Sequence, residues 1–301
     1  MTGKQQHTGN LQRAASYASL SVALFLVAAK IWAWLATQSV SLLSSLVDSF
    51  LDVLASGVTV IAISIAMQPA DREHRFGHGK AEGMAALIQA VIISLSALFV
   101  LSEALPRFWE PQPIREPETG IAVMLLSIFL TLLLLAFQRS VIRKTGSIAI
   151  SADALHYRSD LFINLSVVIA IPLTAWTNLT LIDPLIATAI AFYILRSTWE
   201  IGSGALDVLL DRELPEAERS KIKSIASAHP KVLGFHDLRT RSGGHHYIFQ
   251  FHLELDPKTS LLNTHMIMDQ IEDEIRAAYP GCEIIVHADP QGLEEPRDHF
   301  D

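Results

Sequence analysis

The sequence predicts a membrane all-α bundle of six transmembrane helices, followed by a small α+β domain with the order α-β-β-α-β. Half of the 301 residues are hydrophobic and the mean hydropathy is +0.33. That is too apolar for an ordinary soluble chain of this length. The apolar residues gather into six long runs, each near or above the roughly 20 helical residues that cross a bilayer core. Beyond about residue 207 charged residues return, and a period of two appears in place of continuous apolar runs.

The first run, roughly 14–36, follows Lys4 and Arg13 and imitates a signal peptide. It continues past Trp34 and further runs follow, so it reads as a membrane helix. The others cover roughly 40–67, 82–106, 118–138, 147–176 and 181–201. The fourth is the cleanest, with only Ser127 and Thr131 polar between Ile121 and Phe137. Lys and Arg concentrate before the first run (Lys4, Arg13), after the second (Arg72, Arg75, Lys80) and after the fourth (Arg139, Arg143, Lys144). Arg107 and Arg115 in the third connection are offset by acids, and the first and fifth connections are uncharged. The positive-inside rule then puts both termini in the cytoplasm.

The soluble part begins with an amphipathic helix opened by Pro215 and stopped before Pro230. Two strands follow, joined at Ser242-Gly243-Gly244. In the second, Tyr247, Phe249, Phe251 and Leu253 share one face, and Ile248, Gln250, His252 and Glu254 share the other. A helix over 261–280 and a strand from Cys282 complete the domain. The expected organisation is a cytoplasmic N-terminal tail at 1–13, a transmembrane domain at 14–206, a cytoplasmic domain at 207–290 and a flexible tail at 291–301.

Composition narrows the function. The net charge is −8 and no basic tract resembles a nucleic-acid arm. No nucleotide-binding loop occurs, so ATP is not the expected driver. Cys282 is the single cysteine, so one chain makes neither an internal disulfide nor a thiolate cluster.

Three sets of residues carry chemistry. Asp48 and Asp52 lie four residues apart in the second run, and His156 and Asp160 repeat that spacing in the fifth. Each pair shares one helix face. A carboxylate at membrane depth is expensive and faces a partner, water or an ion. Three carboxylates and an imidazole suit one divalent cation. The alternative is that each is satisfied separately, by a helix–helix hydrogen bond or an ion pair with Lys30 or Arg158. The second set, Asp71, His74 and His78, lies in a loop whose Gly77 and Gly79 allow a tight turn, and its donors suit zinc. The third lies in the soluble domain: His236 and His252 on the hairpin strands, His265 on the second helix, and His287 with Asp289 on one face of the last strand. His245 and His246 follow the glycine turn and read as exposed turn residues. No HExxH helix of an intramembrane zinc protease is present, and an enzyme would need a base besides these ligands.

The segments VDSFLD (47–52), QPADREHRFGHGKAE (68–82), ADALHYRSD (152–160), LLDRELP (209–215), HDLRTR (236–241), FHLELD (251–256) and VHADP (286–290) together resemble the cation diffusion facilitator family. The likeness is nearest its bacterial zinc/ferrous-iron efflux subgroup and covers about residues 14–290. The resemblance implies an inner-membrane homodimer that exports a divalent cation against protons, with Zn2+ favoured over Fe2+ and Cd2+. It implies that Asp48, Asp52, His156 and Asp160 form the transport site, and that Asp71, His74 and His78 form a loop site. His236, His252, His265, His287 and Asp289 would form a binuclear cytoplasmic site that helps join two protomers. Lys80 and Asp211 would form a charged pair linking the membrane and cytoplasmic parts. The soluble domain would have a metallochaperone-like fold. The competing reading is a membrane receptor that binds metal without transporting it.

Overall fold

A computed structural model describes residues 3–37, 40–109, 118–177, 179, 181–244 and 246–292. Six long helices come first: α1 (Gly3–Thr37), α2 (Val40–Ala66), α3 (Ala81–Ala104), α4 (Glu118–Thr145), α5 (Ile148–Thr177) and α6 (Ile182–Leu209). The soluble part follows as α7 (Glu216–Ser227), β1 (Gly234–Ser242), β2 (Tyr247–Leu255), α8 (Leu261–Ala278) and β3 (Glu283–Pro290). The chain divides into two compact units. One holds Gln6–Pro69 and Lys80–Leu206; the other holds Met1–Gln5, Ala70–Gly79 and Asp207–Asp301.

Four helical stretches are long and apolar enough, on their described residues, to cross a membrane: Thr8–Ala36, Ser49–Ala66, Ala81–Phe108 and Ile121–Thr145. Helices α5 and α6 are of similar length, 30 and 28 residues. The helices overrun the apolar runs. Helix α1 starts at Gly3 rather than near residue 14, because no proline interrupts 3–13 and Gln12 is fixed by a hydrogen bond to Glu82 at 3.1 Å. Helix α4 continues to Thr145, so Arg143 and Lys144 sit in its last turn, where cations favour the helix dipole. Leu54, Phe99, Phe129, Phe192 and Trp199 are all well exposed. Such a surface suits lipid and would be a liability in water.

Helix α5 packs against α2, α3 and α4. Ala149 and Ala152 on it are fully buried, and Ala152 meets Ala86 of α3 and Ala205 of α6. Small residues let helices approach closely where lipid removes the hydrophobic driving force. A buried polar layer crosses the unit beside these alanines. Asp153 of α5 accepts from Ser19 of α1, and from Gln138 of α4 at 2.7 Å. The Tyr157 hydroxyl donates to the Ser19 carbonyl and meets Ser56 of α2, both at 2.9 Å. Gln89 of α3 donates to Ala55 and Thr59 of α2.

In the second unit the three strands form one sheet of order β1-β2-β3, with β1 antiparallel and β3 parallel to β2. Phe249, Phe251, Leu253 and Leu255 point to one face and are buried against Ile222 and Ala226 of α7 and Ile267, Ile271 and Ile275 of α8. Tyr247, expected on the same face, is more than a third exposed at the strand end. The i, i+4, i+8 spacing of the α8 isoleucines makes the apolar stripe that covers the sheet. Cys282 packs against this core, and burial raises its thiol above the ordinary cysteine range.

Loop 70–79 belongs to this unit. Gly77 has φ 80° and closes a turn through a hydrogen bond to the His74 carbonyl at 3.0 Å. Gly79 serves a different need: a Cβ there would meet the Gly243 carbonyl oxygen at 2.0 Å. The loop therefore lies backbone to backbone on the hairpin turn, and Arg241 covers the Phe76 ring at 4.7 Å.

Candidate metal centres

Asp52 projects from α2, and His156 and Asp160 project one turn apart from α5. The two helices pack together, so the three side chains converge. His156 Nε2 lies 3.0 Å from Asp52 Oδ1 and 3.7 Å from Asp160 Oδ2. One donor atom from each of the three lies within 4.8 Å of the others. The His156 side chain is 7% exposed, and Asp52 and Asp160 are 20% and 30% exposed. The imidazole is thus held inside while the carboxylates stay reachable by an ion. Asp48 lies in α2 one turn before Asp52, and its side chain is outside the described residues. Of the cations that offered separate ion pairs, Lys30 donates to Ser49 at 2.6 Å and Arg158 to the Tyr193 hydroxyl at 3.4 Å. Nitrogen and oxygen donors this close fit zinc, which takes four such ligands as a tetrahedron.

The loop residues also meet. Asp71 Oδ1 accepts the backbone N–H of His74 at 2.6 Å and of Glu73 at 2.9 Å. The His74 N–H is the main reason its carboxyl lies below the ordinary range, so it remains an anion. His78 Nε2 stands 3.4 Å from Asp71 Oδ2, and the rings of His74 and His78 are 4.6 Å apart. These three side chains form a second group of donor atoms within 4.8 Å.

The third group is made by sheet register. His236 pairs with His252 across β1 and β2, and His252 pairs with His287 across β2 and β3. The three histidines form one row on the face opposite α7 and α8. Glu254 and Asp289 form the next row. Asp289 Oδ2 is 2.9 Å from His252 Nδ1 and 3.5 Å from His236 Nε2, and Asp289 Oδ1 is 3.1 Å from His287 Nε2. His236, His252 and Asp289 hold donor atoms within 4.8 Å, and Asp289 is 7% exposed. His265 is exposed on α8 and faces Asp269 at 3.4 Å. Glu254 was not anticipated; its Oε1 lies 3.5 Å from His236 Nε2. The alternation of β2 already placed it on the His252 face.

The remaining expected residues are less informative. Lys80 precedes α3 in the first unit, and Asp211 belongs to the second, where it pairs with Arg241 at 3.2 Å. His245 lies outside the described residues, and the His246 ring sits over Gly243.

Comparison with known proteins follows this division. Residues 16–210 match the family described as the cation efflux transmembrane domain, and residues 214–291 match the cation efflux protein cytoplasmic domain. The cation-efflux pump FieF of Serratia proteamaculans (strain 568) is 44% identical over 280 residues, 93% of each chain. That of Yersinia enterocolitica is 43% identical over 289 residues, 96% of each. Among solved structures, CzrB, described as a candidate zinc transporter, matches in its Zn form with 28% identity and a TM-score of 0.27. That match covers 29% of this chain and 99% of CzrB's. The metal-bound C-terminal domain of the CzcD transporter from Thermotoga maritima matches with 23% identity and a TM-score of 0.26, over 27% of this chain and all of that one. With both domains matched and the curated relatives aligned over nearly their full length, the chain belongs to the cation efflux family of membrane transporters.

Proposed function

We propose that the chain is a homodimeric antiporter of the bacterial inner membrane that exports a divalent metal ion in exchange for protons. Zn2+ is the favoured substrate, with Fe2+ and Cd2+ also accepted. The observation that carries this reading is the convergence of Asp52, His156 and Asp160 within apolar helices, with Asp48 one turn away on α2. All six helices span, the charged connections lie inside, and both termini face the cytoplasm.

Charge balance supplies the coupling. Metal binding requires ionised carboxylates and a neutral imidazole. When the ion leaves, neighbouring carboxylates repel one another in a medium that solvates them poorly. Protons restore neutrality, and an imidazole is the side chain that ordinarily changes charge near neutral pH. A site that alternates between metal and protons, and between the two membrane faces, exchanges one for the other.

Of the two remaining groups, the sheet face is the better placed to regulate. His236, His252, His287 and Asp289 hold zinc as a sensor and dimer clamp that biases the transport equilibrium, while His265 stands apart on α8. Asp71, His74 and His78 hold a further ion.

The test is zinc flux in proteoliposomes with and without a pH gradient. Zinc uptake accompanied by counter-movement of protons, and lost in Asp160→Ala, supports the antiporter. Zinc binding without flux identifies a receptor, and flux indifferent to the pH gradient identifies a passive channel. Competition among Zn2+, Fe2+ and Cd2+ in the same vesicles ranks the substrates.

A further inference from the structure

Asp153 is fully buried in the membrane unit and lies outside the group of donor atoms that Asp52, His156 and Asp160 bring together. It lies three residues before His156 on α5, about one turn nearer the N-terminal end of that helix. Its Oδ2 accepts from Ser19 and Gln138, while Oδ1 has no well-formed hydrogen bond among the described residues. The side chains that meet it from other helices are neutral: Ser19 on α1, Thr59 on α2 and Gln138 on α4. Helix α3 adds Gln89, which donates to Thr59. The titratable groups facing it are His156 and Tyr157 on its own helix. The groups that act on it most strongly include no lysine or arginine.

A carboxylate so enclosed takes its charge state from its surroundings. A dication one turn away stabilises the anion through Coulomb attraction in a weakly screened interior. When the ion departs, Asp52 and Asp160 remain on the same side and repel that anion. The hydrogen-bonded layer joins Asp153 to both ligand-bearing helices. From Ser19 it passes through Tyr157 to Ser56, which stands one turn from Asp52 on α2. We propose that Asp153 is a proton-exchange site of the transport cycle, separate from the metal ligands: it takes up a proton when the transport site empties and releases it when metal binds. The step is proton addition to a carboxylate oxygen, with no change in oxidation state. It rests on the antiport reading above.

Asp153→Asn keeps the size of the side chain and removes the exchangeable proton. Protons released on Zn2+ addition are counted with an indicator dye in weakly buffered detergent, on the full-length parent and variant. The variant is expected to bind zinc and release about one proton fewer per transport site filled. An unchanged count in a folded, zinc-binding variant overturns the proposal. If the parent transports zinc but moves no protons, it is the antiport reading that fails. Should Asp153→Asn not fold, zinc-induced difference infrared spectra of the parent and of Ser19→Ala decide the matter. A protonated carboxyl band that vanishes with zinc, and that Ser19→Ala shifts in frequency, supports Asp153. A band indifferent to Ser19→Ala, or no such band, overturns it.

Discussion

The membrane group and the sheet-face group use the same chemistry, imidazole and carboxylate, but are assembled differently. In the membrane unit, Asp52 of α2 meets His156 and Asp160, four apart on α5, where the two helices pack. On the sheet, residues from 236 to 289 reach one row because β1, β2 and β3 are held in register. The membrane site is the interface between two helices, so helix movement alters it directly. The sheet site is braced by strand pairing on both sides of β2 and by a packed core beneath it. A transport site must change its exposure to release its ion, whereas a clamp need not. The difference in construction matches the difference in proposed role.

The largest effect expected from breaking this division is at Asp160. Asp160→Ala removes one carboxylate of the proposed transport site, and zinc flux in proteoliposomes should fall by roughly two orders of magnitude or more while the purified chain stays folded. Flux within a few-fold of the parent would remove the membrane group from the transport path.

The sheet group should behave differently. His236→Ala combined with Asp289→Ala should weaken zinc binding at the soluble domain by about 10–100-fold. Flux should fall only at low zinc, where regulation matters. Loss of flux at saturating zinc would make the sheet group part of the path.

A smaller effect is expected where the loop meets the hairpin. Gly79→Ala forces a methyl group against the Gly243 carbonyl, and should destabilise the loop contact by about 1–3 kcal/mol. Faster cleavage of loop 70–79 in limited proteolysis would register it, with Gly57→Ala, which has open space around it, as the control.

The smallest is a pH effect at Asp71. Its carboxyl is held below the ordinary value of 3.8 by the His74 N–H. A depressed acid contributes order above its unfolded value and loses it as pH falls through the folded one. The loop turn should therefore persist at pH 4 and open only at lower pH, read by amide exchange at His74. Asp71→Asn should remove that acid dependence.

Much of this was legible in the sequence, for identifiable reasons. Asp52, His156 and Asp160 stood out because a charge in an apolar helix has few acceptable explanations. The β2 alternation anticipated the buried row of Phe249, Phe251 and Leu253. Asp153 does not stand out in the sequence because it shares a helix with His156 and Asp160, and nothing in its spacing says that Ser19 and Gln138 will meet it. In the sequence Gly79 reads as a turn glycine. Gly77 performs the turn, and Gly79 answers a contact with residues more than 160 positions away.

By itself the sequence determined the apolar helices, the spacing of the polar pairs and the alternation of the strands. All three follow from local periodicity. The tertiary structure decided which faces meet: that α2 and α5 bring Asp52 to His156, that register aligns His236, His252 and His287, and that Asp153 is sealed among neutral partners. Those outcomes depend on packing between segments distant in the chain, which no local pattern records.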